Sequence, residues 1–295
     1  MRLRALRTRL ITVVLGCLSL CAAARANHAL HCLWELHGKH NTVYLLGSIH
    51  VLRPGDYPLG RTIEEAYAHA DALVMEINLG AVDLAQMRAE MLASAALPPG
   101  KTLAEVLGPE RDARAAAIAG GLGIDLGGFS RFAPWFAAEA ISQMQLAALG
   151  FSPQSGVDFY MLRRAQKDGK AVTGLETVHD QIALFTAMPL DTQADYLLSS
   201  LAETHDFAKE VNDMVLAWQR GDSRWFADEI AREFGHEPAL YQTLLLARNR
   251  KWLPQIEALL NDERNYLVIV GTGHLVGKGS VVDLLRRDGV AVIQH

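Results

Sequence analysis

Cysteine is scarce in this sequence of 295 residues, which contains only three. Cys17 and Cys21 lie in an N-terminal segment with the features of an export signal, so its removal would leave Cys32 alone. A single cysteine excludes an intramolecular disulfide, and we therefore expect stability to come from a packed apolar core. Hydrophobic residues make up 50% of the chain, which is enough to build one.

Long apolar runs are also absent. The longest, Leu10–Leu20, is shorter than the roughly 20 residues that a helix needs to cross a bilayer. Four arginines precede it, and the small residues of Ala24–Ala26 follow it as in a cleavage site. This pattern predicts a signal peptide over residues 1–26, with cleavage favoured over retention as an anchor. The remaining residues, 27–295, are then expected to form one periplasmic or secreted domain without a stable membrane span.

The sequence has no excess of basic over acidic residues. The chain has a formal net charge of −5, and residues 1–26 contain five arginines and no acidic residue. Cleavage would leave 23 basic against 33 acidic residues, a balance of −10. Such a protein has no electrostatic reason to bind nucleic acid or an anionic membrane. Three catalytic signatures are missing as well: the His-Glu-x-x-His zinc helix, the Gly-x-Ser-x-Gly elbow and the phosphate-binding P-loop.

Apolar runs and helical patterns alternate along the chain in a way that is typical of an α/β fold. A hairpin over residues 33–46 opens the domain, and a strand, helix and strand follow over residues 43–76. The middle is mostly helical, with one strand that looks buried at residues 170–176. A fully apolar strand at Tyr266–Val270 comes near the end. We predict a mixed α/β fold with a central, largely parallel sheet that helices flank and cap, the middle being a helical elaboration.

The same short pattern occurs at both ends of the domain. Gly47–His50 and Gly271–His274 are Gly-x-x-His motifs, and each follows an apolar strand. Two further strands end in Glu76 and Glu176. Ligands of open α/β sheets bind outside the carboxyl ends of the strands, so these four side chains are expected to converge if their strands are neighbours. They could then hold a divalent metal, or supply a general base and its orienting partner without one.

Ordinary structural roles compete with these assignments. A single Gly-x-x-His is most often a turn, and it is the pair of motifs that favours a site. Asp158 stands at the start of a predicted helix and is interpreted as a helix cap rather than a catalytic group.

An ordered set of motifs along the chain resembles the TraB/PrgY/GumN family. That family includes the Tiki-type metalloproteases and is more distantly related to the erythromycin-esterase and ChaN-like folds; the exported GumN-like branch is most similar. The motifs span almost the whole chain after residue 26, and they are Leu45–Val51 (LLGSIHV), Leu73–Glu76 (LVME), Gly156–Asp158 (GVD), Gly174–Thr177 (GLET), Arg248–Asn249 and Gly271–Gly277 (GTGHLVG).

The resemblance implies a metal-dependent hydrolase of peptide or amide bonds in the cell envelope. His50, His274 and Glu76 would be metal ligands, and the implied catalytic residues are Glu76, Glu176, Arg248 and Asn249. Arg248 would bind a substrate carboxylate or the developing oxyanion. Zinc, manganese, cobalt and iron all suit such a donor set. The expected partner is therefore a peptide or protein substrate.

Three other functions stay open at this point. One is a metal-free esterase or amidase in which a histidine is the general base. Another is a periplasmic protein that binds haem or a similar ligand, as ChaN-like relatives would suggest. The last is an accessory factor that acts through a protein partner.

Overall fold

A computed structural model describes residues 30–202, 207–235 and 238–295, so the predicted signal peptide lies outside the described residues. Six strands form a single sheet in the order β4-β3-β5-β2-β1-β6. In chain order they are β1 (Leu33–His37), β2 (Thr42–Ser48), β3 (Ala72–Met75), β4 (Ala171–Gly174), β5 (Tyr266–Gly271) and β6 (Val292–Gln294).

The parallel part of the sheet brings together the four strands that precede the candidate site residues. β4, β3, β5 and β2 are neighbours and run in the same direction, whereas β1 is antiparallel to both β2 and β6. β5 lies in the middle, and all six of its residues are buried, as its unbroken apolar sequence requires. The prediction of a mixed α/β fold with a largely parallel sheet is confirmed.

The prediction of a buried strand after Lys170 is wrong in one respect. β4 is present, but it is the edge strand and pairs only with β3. Ala171, Thr173 and Gly174 are exposed. A short run of small and β-branched residues looks the same in sequence whether one neighbouring strand covers it or two.

Helices cover the sheet and form the middle of the chain, as predicted. α3, α4 and α7 pack on one another around a separate apolar cluster that includes Leu107, Ile141 and Leu197. Among the described residues, no helix has the length and apolar character needed to span a membrane. The helices are α1 (Arg61–His69), α2 (Leu84–Ala95), α3 (Leu103–Gly121), α4 (Pro134–Ala148), α5 (Val157–Asp168), α6 (Val178–Thr186), α7 (Leu190–Ala202), α8 (Phe207–Gln219), α9 (Ser223–Phe234), α10 (Pro238–Tyr241), α11 (Ala247–Leu259) and α12 (Val281–Arg287).

The two Gly-x-x-His motifs are packed against each other. In the pairing of β2 with β5, Ser48 lies opposite Gly271. A Cβ atom on Gly47 would lie 2.8 Å from the Thr272 hydroxyl and 3.1 Å from its Cα. A Cβ on Gly271 would lie 3.1 Å from Nε2 of His50. Each glycine therefore leaves room for a residue of the other motif, which is why the pattern occurs twice.

A third glycine brings α5 against the turn that carries His50. A Cβ on Gly156 would lie only 2.0 Å from the carbonyl oxygen of His50. The next residue, Val157, donates its backbone N–H to the Ile49 carbonyl at 3.0 Å. The start of α5 can approach the end of β2 this closely only because residue 156 has no side chain.

We predict that Gly156→Ala lowers the free energy of unfolding by about 1–3 kcal/mol, the usual cost of overpacking a close contact. The reason is the clash with the His50 carbonyl. Gly55→Ala is a matched control, because a Cβ there would have no neighbour within 4 Å. Urea denaturation of both variants measures the effect, and equal stabilities would contradict the prediction.

Candidate functional site

Two imidazoles face one carboxylate oxygen at the carboxyl ends of β2, β3 and β5. Nε2 of His50 and Nε2 of His274 each lie 4.0 Å from Oε1 of Glu76. The two nitrogens are therefore at most 8.0 Å apart, twice that distance. The structure thus brings together the two motif histidines and the strand-end glutamate, as the sequence predicted.

His50 is oriented by Asp158. Nδ1 of His50 donates to Oδ2 of Asp158 at 2.9 Å, and the Ser48 hydroxyl donates to the other carboxylate oxygen at 3.0 Å. This carboxylate is the main cause that raises the pKa of His50 to about 9. With Nδ1 held in this way, Nε2 points toward Glu76.

The interpretation of Asp158 as a helix cap is therefore wrong. The N-cap residue of α5 is Gly156. Asp158 is the second residue of the helix itself, so it does not occupy the capping position. Sequence spacing alone cannot separate these roles, since both place an acid in the first turn of a helix. The Gly-Val-Asp motif that contributed to the family resemblance was the one signal that pointed to the site.

His274 is buried and held in one tautomer. Asn249 donates from Nδ2 to the Gly279 carbonyl at 2.9 Å, so its Oδ1 accepts from Nδ1 of His274 at 2.6 Å. The lone pair of His274 is consequently on Nε2. Burial lowers the pKa of this imidazole to about 3, so it is neutral at physiological pH.

Arg248 joins the two strand-end glutamates. Its NH2 nitrogen donates to Oε2 of Glu76 at 2.7 Å and to Oε1 of Glu176 at 2.5 Å. Its NH1 nitrogen lies 3.0 Å from Nε2 of His274. Gln181 also donates to both carboxylates, at 3.1 and 2.9 Å. One hydrogen-bonded ionic cluster is thus formed by the side chains of Glu76, Glu176, Gln181, Arg248 and His274.

The same cluster keeps Glu76 ionised. Burial by itself would raise the pKa of this carboxyl, but the two imidazoles, the Arg248 guanidinium and the Gly271 N–H together hold it at about 2. The Gly271 N–H donates to Oε1 at 2.7 Å. Glu76 is therefore an anion that presents one oxygen toward both histidines.

Glu176 is more enclosed than Glu76. Its side chain is only 2% exposed, and both oxygens accept hydrogen bonds. Besides Arg248 and Gln181, the indole N–H of Trp252 donates to it at 3.2 Å. The Trp252 ring also packs on His274, with centroids 4.4 Å apart. The Glu176 carboxylate is thus enclosed by protein groups and has almost no contact with solvent.

The donor set has the chemistry of a catalytic metal site. Nε2 of His50, Nε2 of His274 and one carboxylate oxygen are the donor types of the His₂Glu sets of zinc hydrolases, although His50, whose pKa is raised to about 9, has to lose a proton before its Nε2 can bind an ion. Among the described residues, however, no group of three His, Cys, Asp or Glu side chains is arranged as a preformed metal centre. The 4.0 Å separations are about twice a metal–ligand bond of about 2.0–2.2 Å, so one ion would reach both members of a pair only in a nearly linear arrangement, and a tetrahedral site requires the side chains to move closer together.

A cavity of about 490 Å³ opens beside this cluster. His50, Glu76, Asp158 and Gln181 form its polar end, and the rest of its wall is largely apolar. The other predicted site residues, Glu176, Arg248, Asn249 and His274, lie behind this polar end and do not line the cavity. Asp158, Gln181 and Trp252 are the contributors that the sequence did not identify, because only the fold brings α5, α6 and α11 to the strand ends.

The family is settled by comparison with known sequences. The model of the TraB/PrgY/gumN family matches residues 32–294. The chain belongs to this family. It is also 28% identical over 273 residues to the uncharacterized protein YbaP of Shigella flexneri, an alignment that covers 91% of this chain and 97% of the relative. YbaP of Escherichia coli strain K12 gives the same identity and coverage. No solved structure gives a significant match.

We predict that Asp158→Asn lowers the pKa of His50 by more than one unit, from about 9 toward its ordinary value of 6.5. NMR titration of the imidazole in chelator-treated protein measures this pKa. Because the folded-state pKa is raised, the pairing stabilises the fold fully below pH 6.5, and this stabilisation is lost as pH rises through about 9. Asp168→Asn, at the other end of α5, should leave the titration unchanged. An unaltered pKa in Asp158→Asn would rule out the pairing.

We predict that Arg248→Met lowers the free energy of unfolding by about 3–5 kcal/mol, because it leaves two buried carboxylates without their cation. Adding Glu76→Gln and Glu176→Gln should recover most of the loss. Arg250→Met, on the exposed side of the same helix, is the control. If the triple variant is no more stable than Arg248→Met, the paired charges are not the cause.

Proposed function

We propose that this protein hydrolyses an ester or amide bond at the cluster formed by His50, Glu76 and His274. The observation that carries the proposal is the convergence of both imidazole Nε2 atoms on one ionised carboxylate oxygen, at the polar end of a cavity. Membership of the TraB/PrgY/gumN family supports a common function for this arrangement. A cell-envelope substrate, such as a peptide or an acylated molecule, follows from the predicted export of the chain.

A divalent ion held by His50, Glu76 and His274 would polarise the substrate carbonyl and acidify a water molecule. The surrounding residues support this role by fixing the donors. Asp158 and Asn249 hold the Nδ1 atoms of the two histidines, so that both Nε2 atoms face Oε1 of Glu76. Arg248 and the Gly271 N–H keep Glu76 ionised.

Glu176 and Asn249 act as positioning residues in this proposal. Glu176 holds the guanidinium of Arg248 through three nitrogen–oxygen contacts of 2.5 to 3.3 Å. Asn249 is 1% exposed and holds the His274 ring. Neither side chain lines the cavity, so neither touches a substrate there.

Metal-free hydrolysis is the second candidate, and one contact favours it. The NH1 group of Arg248 already lies 3.0 Å from the Nε2 lone pair of His274, which a metal would need. In that case His50, oriented by Asp158, would take a proton from water as a general base in its deprotonated form, which becomes abundant only as pH approaches its raised pKa of about 9. The histidine–carboxylate pair is the usual arrangement for such a base.

We expect the purified protein to bind one divalent ion per chain, measured by elemental analysis and by titration calorimetry with Zn²⁺ and Mn²⁺. Glu76→Gln should abolish binding because it removes the shared anionic donor, and Asn249→Ala should weaken it about 10–100-fold. His179→Ala is the control, since this exposed histidine bonds only to Glu90 among the contacts described.

Hydrolysis of a panel of 4-nitrophenyl esters and 4-nitroanilides then separates the two candidates. Activity that a chelator removes and one ion restores supports the metal-dependent reaction. Activity that survives chelation but is lost in His50→Ala supports the metal-free one. Equal rates for the wild type and His50→Ala would contradict both.

A further inference from the structure

The cavity beside the cluster has two chemically different parts. His50, Glu76, Asp158 and Gln181 form one end. The remainder is formed mainly by apolar side chains of α2, α4 and α6, which belong to the helical middle of the chain. These side chains include Met87, Met91, Trp135, Phe136, Ile182 and Phe185. At about 490 Å³, the cavity is within the range of pockets that enclose small molecules.

The polar side chains on the apolar wall are few, namely Glu139 and the exposed Gln143. Glu139 lines the cavity, but it accepts a hydrogen bond of 2.5 Å from the Tyr196 hydroxyl. Burial raises the pKa of this carboxyl. Trp135 and Phe185 stack on each other with centroids 5.2 Å apart, which leaves less aromatic face for a flat ring.

A bound peptide segment would find few hydrogen-bond partners in this part of the cavity, where Gln143 offers the one exposed side-chain amide. The backbone groups of the helices that form the wall are bonded within the helices, and β3 is paired on both sides by β4 and β5. Among the described residues that line the cavity, none belongs to the edge strand β4. Each unpaired peptide N–H or C=O would cost free energy on burial. A hydrocarbon chain has no such groups.

We propose that the apolar part of this cavity binds the acyl chain of the substrate, with the carbonyl of the scissile ester or amide at the His50–Glu76 end. Met87 and Met91 suit a linear chain because unbranched thioether side chains adapt to irregular shapes. The proposal rests on the proposed hydrolase function for its carbonyl end, but the binding of the chain does not require turnover.

Binding and turnover are therefore measured separately. Titration calorimetry with dodecanoate and hexanoate tests binding, and kcat/KM for the acetyl, hexanoyl and dodecanoyl 4-nitrophenyl esters tests turnover. We expect dodecanoate to bind at least about tenfold more tightly than hexanoate, since each buried methylene favours binding. The kcat/KM values should rise with the length of the acyl chain. Comparing dodecanoyl 4-nitroanilide with the dodecanoyl ester shows whether the protein cleaves amides or esters.

Two variants fill the cavity from different walls. Ala140→Trp, on α4, and Met87→Trp, on α2, place an indole in the apolar part and should weaken dodecanoate binding at least about tenfold. Ala147→Trp is the matched control, because this exposed residue of α4 lies outside the cavity. Thermal unfolding of each variant checks that the fold is retained. Met87 is partly exposed, so Met87→Trp still tests the site if Ala140→Trp does not fold.

Four outcomes decide the matter. Chain-length preference that both filling variants abolish supports the acyl site. Dodecanoate binding without turnover of any ester or amide supports the acyl site and overturns the hydrolase. Turnover that is equal for acetyl and dodecanoyl esters, without dodecanoate binding, overturns the acyl site and leaves the hydrolase. Cleavage of peptides alone, with no acyl binding, also overturns it.

Discussion

The parallel pairing of β2 with β5 is the interaction on which the site depends. It places the residues that follow each strand side by side, although they are more than 220 positions apart in the chain. The turn after each strand must pass close to the other, and Gly47 and Gly271 make this possible by leaving room for Thr272 and His50. A tertiary hydrogen bond from the Thr272 hydroxyl to the Ser48 carbonyl, 3.0 Å long, ties the two turns together. The histidines are consequently placed by backbone geometry before any side-chain interaction is considered.

The electrostatic environment then determines the protonation of the side chains that this geometry brings together. The two histidines have opposite shifts because their environments differ. His50 is 61% exposed on its side chain and faces the carboxylate of Asp158, which raises its pKa. His274 is buried beside the Arg248 guanidinium, and burial lowers its pKa. One carboxylate, Glu76, lies between them and stays ionised. A cluster of this kind places an anion between two groups of different proton affinity at the polar end of the cavity.

The helical middle of the chain gives the site its other property. α2, α4 and α6 are inserted between strands of the sheet in sequence, and in space they cover the strand ends with an apolar wall. α6 has a second role, because Gln181 reaches both Glu76 and Glu176 from the same helix that supplies Ile182 and Phe185. The cavity and the ionic cluster are therefore formed by shared elements. Changes in these helices are expected to alter what binds without altering the strand-end residues.

By itself, the sequence determined the class of fold, the four strand ends and the occurrence of two glycine–histidine motifs, because apolar periodicity and strand-end chemistry are local properties. It also determined the candidate residues, of which the family motifs alone indicated Arg248 and Asn249 on α11; the full set is His50, Glu76, Glu176, Arg248, Asn249 and His274. Only the tertiary structure decided that Asp158 binds His50 rather than capping α5, and that β4 is an edge strand. It alone showed that Glu176 and Asn249 lie behind the cavity. These are questions of which distant elements are neighbours, and no pattern within a single segment carries that information.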